Sequence, residues 1–251
     1  MSVAIRVRPL KDDEENVLEL ADSQILVNQE KTFNFDATFS AERTQAEIYQ
    51  EVLQEKVNAV LKGYNATIMA YGQTGSGKTF TIGLGGSTQF ERGTQSEGFI
   101  TRALEQIFST ATASEEQRCV KIRFLEIVPD RNTEQVFDLI NPSLARVPLQ
   151  VRADQAGGFR LADVTERTVR CIEEAVEILK QGCKLRATEA TVRNSVSSRS
   201  HAVLDIRVSD QAGGATSSLS LVDLAGSEAA GKIRRASKGD RFQVGVALVL
   251  F

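Results

Sequence analysis

The sequence of 251 residues lacks the features that mark several broad classes of protein. No apolar run approaches the roughly 18 residues of a membrane-spanning helix, and the opening residues MSVAIRVRPL are too short and too charged for a signal peptide. The formal net charge of −3 excludes the chain-wide basic surface that is typical of nucleic-acid-binding domains. We therefore expect neither a membrane nor a nucleic acid as a partner.

Cysteine and low-complexity sequence are also scarce. The three cysteines, Cys119, Cys171 and Cys183, are odd in number and show no CxxC spacing. We expect them to be reduced and buried, in a protein of the cytosol or nucleus. The sequence contains no repeat, no proline-rich linker and no heptad pattern through which a stalk would dimerise. One globular domain, present as a monomer, is the resulting expectation.

The sequence contains a mixture of strand and helix patterns. Apolar and polar residues alternate at 3–9 and 31–39, as in half-buried strands. A helical spacing over 44–61 ends before Gly63, and residues 66–71 form a short apolar strand. Later segments predict helices near 100–107 and 171–182, and strands at 119–128, 201–210 and 219–226. This mixture predicts an α/β fold with a mainly central sheet flanked by helices.

The segment AYGQTGSGKTFT, residues 70–81, carries the clearest chemical signal. Its residues 72–79 fit the pattern G-x-x-x-x-G-K-[ST], in which glycines let backbone N–H groups turn inward around phosphates. Lys78 would reach the β- and γ-phosphates, and the Thr79 hydroxyl would ligate Mg²⁺. A chance glycine turn is the alternative, but the strand before the segment and the helix after it favour nucleotide binding.

Two further segments offer the groups that phosphoryl transfer needs besides a phosphate loop. Asp223 ends the apolar strand of LSLVDLAGSE, where a carboxylate on the Mg²⁺ side belongs. Gly226, three residues later, can offer its N–H to a γ-phosphate. The segment NSVSSRSH, residues 194–201, combines hydroxyl groups with an arginine and the only histidine. Taken alone, these segments are an ordinary strand-to-turn junction and a serine-rich connection, and His201 is not expected to act as an isolated catalytic base.

Together these segments resemble the kinesin motor domain. The family's four nucleotide motifs stand here in the family's order: R-x-R-P at 6–9, G-Q-T-G-x-G-K-T at 72–79, N-x-x-S-S-R-S-H at 194–201 and D-L-A-G-S-E at 223–228. The segments GFITRALEQIF and FLEI also look like kinesin sequence, and the resemblance runs from about residue 3 to about residue 245. It implies a P-loop NTPase with a mixed central sheet, which hydrolyses ATP and binds microtubules.

The resemblance also implies a role for each matching residue. Adenine would be flanked by Arg6, Arg8 and Pro9. The phosphates would be wrapped by Gly72, Gln73, Thr74, Gly75, Ser76, Gly77, Lys78 and Thr79. Mg²⁺ would be held by Thr79, Ser198 and, through a water, Asp223.

The remaining catalytic roles fall on the two switch loops of the family. Asn194 and Ser197 would help place the attacking water, and Gly226 would sense the γ-phosphate. Arg199 and Glu228 would form the ion pair that closes the loops over the nucleotide. The γ-phosphate would hold these loops, and its loss would release them.

A basic segment follows the second switch, and the resemblance implies that it contacts the acidic microtubule. In AAGKIRRASKGDR, residues 229–241, the expected contacts are Lys232, Arg234, Arg235 and Lys238. Such a contact would weaken with salt, whereas the alternative is a solvated basic loop. Cytoplasmic microtubules would then be the location of the protein.

The sequence departs from the family after the second switch. Residues 243–251, QVGVALVLF, lack the family's E-G-x-x-I-N-x-S-L pattern, and the family's last helices and last strand have no recognisable counterpart. In the family that strand lies inside the sheet beside the first strand. We expect its absence to leave interior backbone groups unpaired, and the tail VALVLF to be an aggregation hazard.

Two other interpretations stay open at this point. The first is a kinesin-derived module that binds nucleotide or tubulin without a catalytic cycle. The second is an unrelated P-loop enzyme, such as a small-molecule kinase.

Overall fold

The computed structural model describes residues 1–113, 118–130, 133–144, 147–154, 157–192, 199–210, 216–228 and 245–250. Its strands are β1 Ser2–Val7, β2 Leu18–Ala21, β3 Gln24–Val27, β4 Lys31–Asn34, β5 Ala37–Phe39, β6 Ala66–Tyr71, β7 Arg118–Asp130, β8 Thr133–Asp138, β9 Val151–Ala153, β10 Phe159–Leu161, β11 Arg167–Val169, β12 His201–Asp210, β13 Ser217–Asp223 and β14 Gly245–Leu250. Its α-helices are α1 Gln45–Val52, α2 Gln54–Leu61, α3 Lys78–Ile82, α4 Phe99–Ala113 and α5 Ile172–Val192. Within these residues no helix combines the length and apolar character needed to cross a membrane.

The described strands form one large mixed sheet and two small ones. The order in the large sheet is β11-β7-β12-β13-β6-β14-β1-β5, and β8 pairs with β7 outside this path. The pairs β6–β13 and β1–β5 are parallel, whereas β12 is antiparallel to both of its neighbours. The predicted α/β architecture with a central mixed sheet is therefore confirmed.

The core lies on one face of the large sheet. Alternate residues of β12, such as Leu204 and Ile206, are fully buried and lie opposite Phe124, Ile122 and other apolar residues of the neighbouring strands. Helices α2, α3 and α5 contact the strands, while α1 and α4 pack against these helices. Burial of this face is the main favourable contribution to folding.

The predicted helix over 44–61 is two helices that meet at Leu53. Thr44 and Glu47 form a capping box at the start of α1, because each side chain bonds to the other's backbone N–H. Leu53 leaves ideal helical geometry with φ −111° and ψ −31°, and its side chain is completely buried. The helical periodicity predicts this region correctly, but it does not reveal the interruption.

Strand β14 occupies the interior position between β1 and β6 and runs antiparallel to both. Its register pairs residues 245–250 with β1 and residues 247–250 with β6. The expectation of an unpaired interior position is therefore wrong. The segment GVALVL is rich in residues that favour strands, and pairing on both sides satisfies backbone groups that would otherwise be unpaired. The tail predicted to be an aggregation hazard is thus an interior strand.

The opposite face of the sheet carries a cluster of ion pairs around Glu166. Its carboxylate lies 3.1 Å from Lys121 Nζ, 2.8 Å from Arg123 Nη2 and 3.0 Å from Arg207 Nη1. Partial burial raises the pKa of Glu166, but hydrogen bonds from Lys121 and Arg207 and the charge of Arg123 outweigh it and lower the pKa to about 2. The charged form of Glu166 therefore stabilises the folded state.

We predict that proline at position 249 destabilises the chain strongly. Val249 lies opposite Val3 on one side and Met69 on the other, so the lost N–H and the fixed φ disturb an interior ladder. The free energy of unfolding, measured with urea, should fall by more than about 2 kcal/mol. Arg160→Pro in the outer β9–β10 pair is the matched control and should cost less. Equal effects of the two prolines would contradict the interior placement of β14.

We also predict that Glu166 contributes to the acid sensitivity of folding. Because its folded-state pKa is depressed, its stabilisation is fully present above the unfolded pKa of about 4.5 and is lost as the pH falls towards about 2. The difference in unfolding free energy between wild type and Glu166→Gln should be largest near pH 7 and shrink below pH 4. A difference that does not change with pH would contradict this assignment.

Candidate nucleotide site

The phosphate loop leaves the end of β6 near the middle of the large sheet. Gly75 and Gly77 have φ of +81° and +102°, a backbone conformation that side chains other than glycine rarely adopt. Helix α3 follows directly and ends at Gly83, which also has a positive φ and packs against Gly98 so closely that a Cβ would lie 2.9 Å from the Gly98 Cα. Gly75 and Gly77 allow the backbone turns of the loop, and Gly83 allows the end of the short helix to pack against Gly98.

Lys78 lies inside the loop. Its Nζ donates to the carbonyl oxygens of Gly72 at 2.8 Å and Gln73 at 2.9 Å. Burial lowers the pKa of Lys78, although the carboxylates of Asp223 and Glu228 act in the opposite direction. The hydroxyl of Ser76 is buried and has no hydrogen-bond partner among the described residues. The loop thus presents a partly desolvated amine and a buried hydroxyl.

Asp223 and Thr79 meet at the end of β13, as the sequence predicts for a metal-binding pair. Thr79 Oγ1 donates to Asp223 Oδ2 at 2.8 Å, and the carboxylate is almost completely buried. Asp223 Oδ1 is also buried, and no described residue offers it a hydrogen bond. Hard oxygen ligands of this kind suit Mg²⁺, and an unpartnered carboxylate oxygen is where one would bind. The residues present therefore fit the expected metal.

A buried charge cluster supports Asp223, and the sequence analysis missed it. Arg186 Nη1 lies 3.1 Å from Asp223 Oδ2, and its Nε lies 3.4 Å from Glu126 Oε1. Glu126 also accepts from Ser200 Oγ at 2.6 Å, and Ser200 O accepts from Arg186 Nη2 at 3.3 Å. Glu126 within the apolar strand FLEI was an available signal, because a charge there must be paired. Arg186 gave none, since it looks like an ordinary helix-surface residue.

The segment 224–228 runs along the phosphate loop. Leu224 N donates to Ala70 O at 3.2 Å, and Ser227 N donates to Gly72 O at 3.0 Å. Between them, Ala225 N donates to the Nδ1 of His201 at 3.1 Å. His201 thus holds a backbone turn through its ring nitrogen.

The carboxylate of Glu228 binds the phosphate loop. It accepts from Thr74 N at 3.0 Å and from the Thr74 hydroxyl. Burial raises the pKa of Glu228, but the hydrogen bonds from Thr74 and the charge of Lys78 outweigh it and lower the pKa. Gly226 makes this contact possible, since a Cβ there would overlap the carboxylate. The described residues show no ion pair between Glu228 and the exposed Arg199, so that pair stays a prediction.

The arginines expected near the adenine have different surroundings. Arg6 Nη1 donates to Thr81 Oγ1 at 3.0 Å and to Gln45 Oε1, and burial lowers the pKa of Arg6 to about 10. Arg8 forms an ion pair with Glu14 and also donates to Pro9 O at 2.8 Å. Arg6 therefore borders the phosphate-loop helix, whereas Arg8 and Pro9 are tied to the segment that follows β1.

A cavity of about 300 Å³ lies between the phosphate loop, α5 and the segment that follows β13. It is lined by Thr74, Gly75, Lys78, Thr79, Cys183, Arg186 and Gly226, among others. Cys183 is half-buried, and burial raises the pKa of its thiol to about 11. All three cysteines are free, but they are half-buried rather than fully buried as expected.

Several predicted residues lie outside the described residues. These are Asn194, Ser197 and Ser198 of the first switch and the basic residues Lys232, Arg234, Arg235 and Lys238. Their proposed roles stay predictions.

A phosphate loop after a central strand, with a paired threonine and aspartate beside it, defines a P-loop NTPase. The chain belongs to the kinesin family: the model of the kinesin motor domain matches residues 5–247. The interpretation as an unrelated P-loop enzyme is therefore set aside.

Individual relatives and one solved structure agree with this family. The chain is 35% identical over 257 residues to the chromosome-associated kinesin KIF4A of Homo sapiens, which covers 97% of this chain and 20% of the relative. It is 33% identical to the kinesin-like protein KIN-5A of Oryza sativa subsp. japonica, over 91% of this chain and 24% of the relative. The chain thus spans between a fifth and a quarter of the length of these relatives. A solved structure, "Structure of a fast kinesin: Implications for ATPase mechanism and interactions with microtubules", aligns with a TM-score of 0.80 and 30% identity, over 92% of this chain and 66% of that one.

We predict that Glu228 competes with nucleotide phosphate for the N–H of Thr74. Thr74→Ala removes one donor to Glu228 but leaves the backbone N–H, so it should raise the affinity for ADP by about two- to fivefold. Equilibrium titration with a fluorescent ADP measures this affinity. Thr74→Ser retains the hydroxyl and is the control, which should bind ADP like wild type. An unchanged or weaker affinity in Thr74→Ala would contradict the competition.

Proposed function

We propose that the chain is an ATP-binding and ATP-hydrolysing motor domain of the kinesin type, which couples Mg·ATP hydrolysis to microtubule binding. The observation that carries this proposal is the Thr79–Asp223 pair beside the phosphate loop. Its 2.8 Å hydrogen bond, and the Oδ1 of Asp223 that has no partner among the described residues, support a Mg²⁺ site at the edge of a cavity large enough for phosphates.

Phosphate binding is the first step of the proposed cycle. The backbone N–H groups of the loop and Lys78 bind the phosphate oxygens. Lys78 exchanges its contacts with Gly72 O and Gln73 O for contacts with the phosphates. Because the amine is partly desolvated, little water has to be removed from it on binding, and its attraction to an anion is stronger than in bulk water.

The second requirement is a metal site. Thr79 would hold Mg²⁺ directly and Asp223 through a water, and Ser198 would be a further hydroxyl ligand in the closed state. A bound ion would neutralise charge that develops on the phosphate oxygens. Arg186 and Glu126 keep Asp223 in place, since a buried carboxylate without a cationic neighbour would be costly.

Movement of the switch segment is the third step. Phosphate at Thr74 N displaces the carboxylate of Glu228, which then pairs with Arg199 and draws the two switch segments together. Gly226 offers its N–H to the γ-phosphate, while Asn194 and Ser197 place the attacking water. Loss of the γ-phosphate removes the contact at Gly226 and releases the switch segments, and this order–disorder step transmits the nucleotide state.

Microtubule binding is the output of the proposed cycle. The excess of lysine and arginine over residues 229–241 suits the acidic microtubule surface. The fast kinesin whose structure aligns with this chain is described as interacting with microtubules, which supports the same partner here. Cytoplasmic microtubules are the proposed location, and a monomer is the proposed state.

The proposed function predicts nucleotide-dependent stability and filament-stimulated turnover. Mg·ADP at about a hundred times its Kd should add roughly 2.7 kcal/mol of stability and raise the melting temperature by a few degrees. ATP turnover should rise when microtubules are added. Asp223→Asn should abolish the Mg²⁺ dependence of both effects, whereas Asp205→Asn, in the charge cluster around Glu166, is the control and should retain it.

The outcomes separate the motor from its main alternative. Nucleotide-dependent stability without filament-stimulated turnover would favour a kinesin-derived binding module that does not cycle. A melting temperature that ignores Mg·ADP would contradict nucleotide binding altogether.

A further inference from the structure

Gln45 is a buried glutamine at the start of α1, and both the oxygen and the nitrogen of its side-chain amide form hydrogen bonds. Only 1% of the residue is exposed. Its Oε1 accepts from Arg6 Nη1, and its Nε2 donates to the carbonyl oxygen of Phe80 at 2.8 Å. Gln45 therefore links Arg6 on β1 to α3, the helix that follows the phosphate loop. It belongs to neither the R-x-R-P motif nor the phosphate-loop motif, so the sequence does not show this link.

Arg6 contacts three side chains, those of Gln45, Thr81 and Phe80. Besides Gln45, it donates to Thr81 Oγ1 at 3.0 Å, and its guanidinium carbon lies 5.4 Å from the centre of the Phe80 ring. A guanidinium near an aromatic face gains a cation–π interaction, which is stronger when water is excluded. Phe80 keeps 42% of its surface exposed, so its ring is accessible to a ligand next to the phosphate loop.

Gln89 offers an internal comparison within the same site. It is also buried, with 4% exposed, and its Nε2 donates to the same Phe80 carbonyl at 2.9 Å. Its Oε1, however, accepts from the backbone N–H of Gly85 and not from Arg6. Both glutamines therefore support the end of α3, but only Gln45 connects that end to Arg6.

We propose that Gln45 is a positioning residue for the base of the bound nucleotide, which sets the Arg6–Phe80 pair in a fixed orientation beside the phosphate loop. The inference rests on the proposed nucleotide binding and adds a residue that none of the four sequence motifs contains. Gln45 itself does not touch the base. It acts by supplying the acceptor that a partly desolvated guanidinium requires.

The physical reason is the freedom of an arginine side chain. Without the Gln45 oxygen, Arg6 would keep Thr81 as its described hydrogen-bond acceptor and would lose the contact that fixes its plane. A long side chain that is not fixed regains rotamer entropy and must be ordered again when the base binds. The phosphates, which are bound by the loop, do not require this ordering.

The test compares Gln45→Met with Gln89→Met, using Mg·ADP and inorganic pyrophosphate with Mg²⁺ as probes. Both variants retain side-chain length and remove one hydrogen bond to Phe80 O, so loosening of α3 should affect both probes alike. We expect Gln45→Met to weaken ADP binding roughly five- to tenfold more than Gln89→Met does. For pyrophosphate, we expect the two variants to change the affinity equally. Isothermal titration and competition against a fluorescent ADP give both affinities, and thermal melts confirm folding.

The outcomes are distinguishable from those of the proposed function. If wild type binds no Mg·ADP, the proposed function and this inference both fall. If wild type binds ADP but the two variants lose equal affinity, or if Gln45→Met weakens pyrophosphate as much as ADP, only the positioning role is overturned. Should Gln45→Met not fold, Gln45→Glu retains an acceptor for Arg6 and is expected to keep the wild-type preference for ADP over pyrophosphate. Loss of that preference in Gln45→Glu would overturn the inference.

Discussion

The constraint on which the rest of the structure depends is the buried carboxylate of Asp223. A charge in this position must be compensated, because removing a carboxylate from water is costly unless it is paired and hydrogen-bonded. Thr79 and Arg186 provide that compensation, and Arg186 in turn requires Glu126 and the Ser200 carbonyl. Strand β7, the end of β13, the residue before β12 and the helices α3 and α5 therefore have to meet at one point. This requirement links the phosphate loop to the start of β12 and to the segment that follows β13.

The compensation is incomplete within the described residues. Two buried carboxylates, Asp223 and Glu126, share one guanidinium, and one oxygen of Asp223 has no partner among those residues. Such a site suits a divalent cation better than a further side chain. Lys78, although partly desolvated, lies close to two carboxylates, those of Asp223 and Glu228, which act to raise its pKa.

The amino-acid sequence predicted those parts of the molecule that depend on local residue patterns. The strands predicted at 3–9, 66–71 and 219–226 are present as β1, β6 and β13, although β1 ends at Val7 and β13 at Asp223. These strands, the phosphate loop and the Thr79–Asp223 pair follow from alternation and motif spacing, which short-range sterics and backbone geometry enforce. Gln45, Glu126 and Arg186 escaped prediction because their partners are distant in sequence and are fixed only by packing. The break at Leu53 and the antiparallel placement of β14 escaped for the same reason, since periodicity describes one segment and not its neighbours.

Strand β14 has a consequence for the order in which the chain can fold. Among the described strands, β1 and β6 do not pair with each other, and residues 245–250 of β14 join them in the sheet. Contacts between such distant segments form late, because the entropy of closing a long loop must be overcome before they contribute. During synthesis on the ribosome, β1 can pair early with β5, whereas β6 has no described strand partner until β13 and β14 emerge. The nascent chain therefore holds an unfinished sheet beside the candidate nucleotide site, and chaperone binding before that moment would fall on β6 and on the unpaired edge of β1.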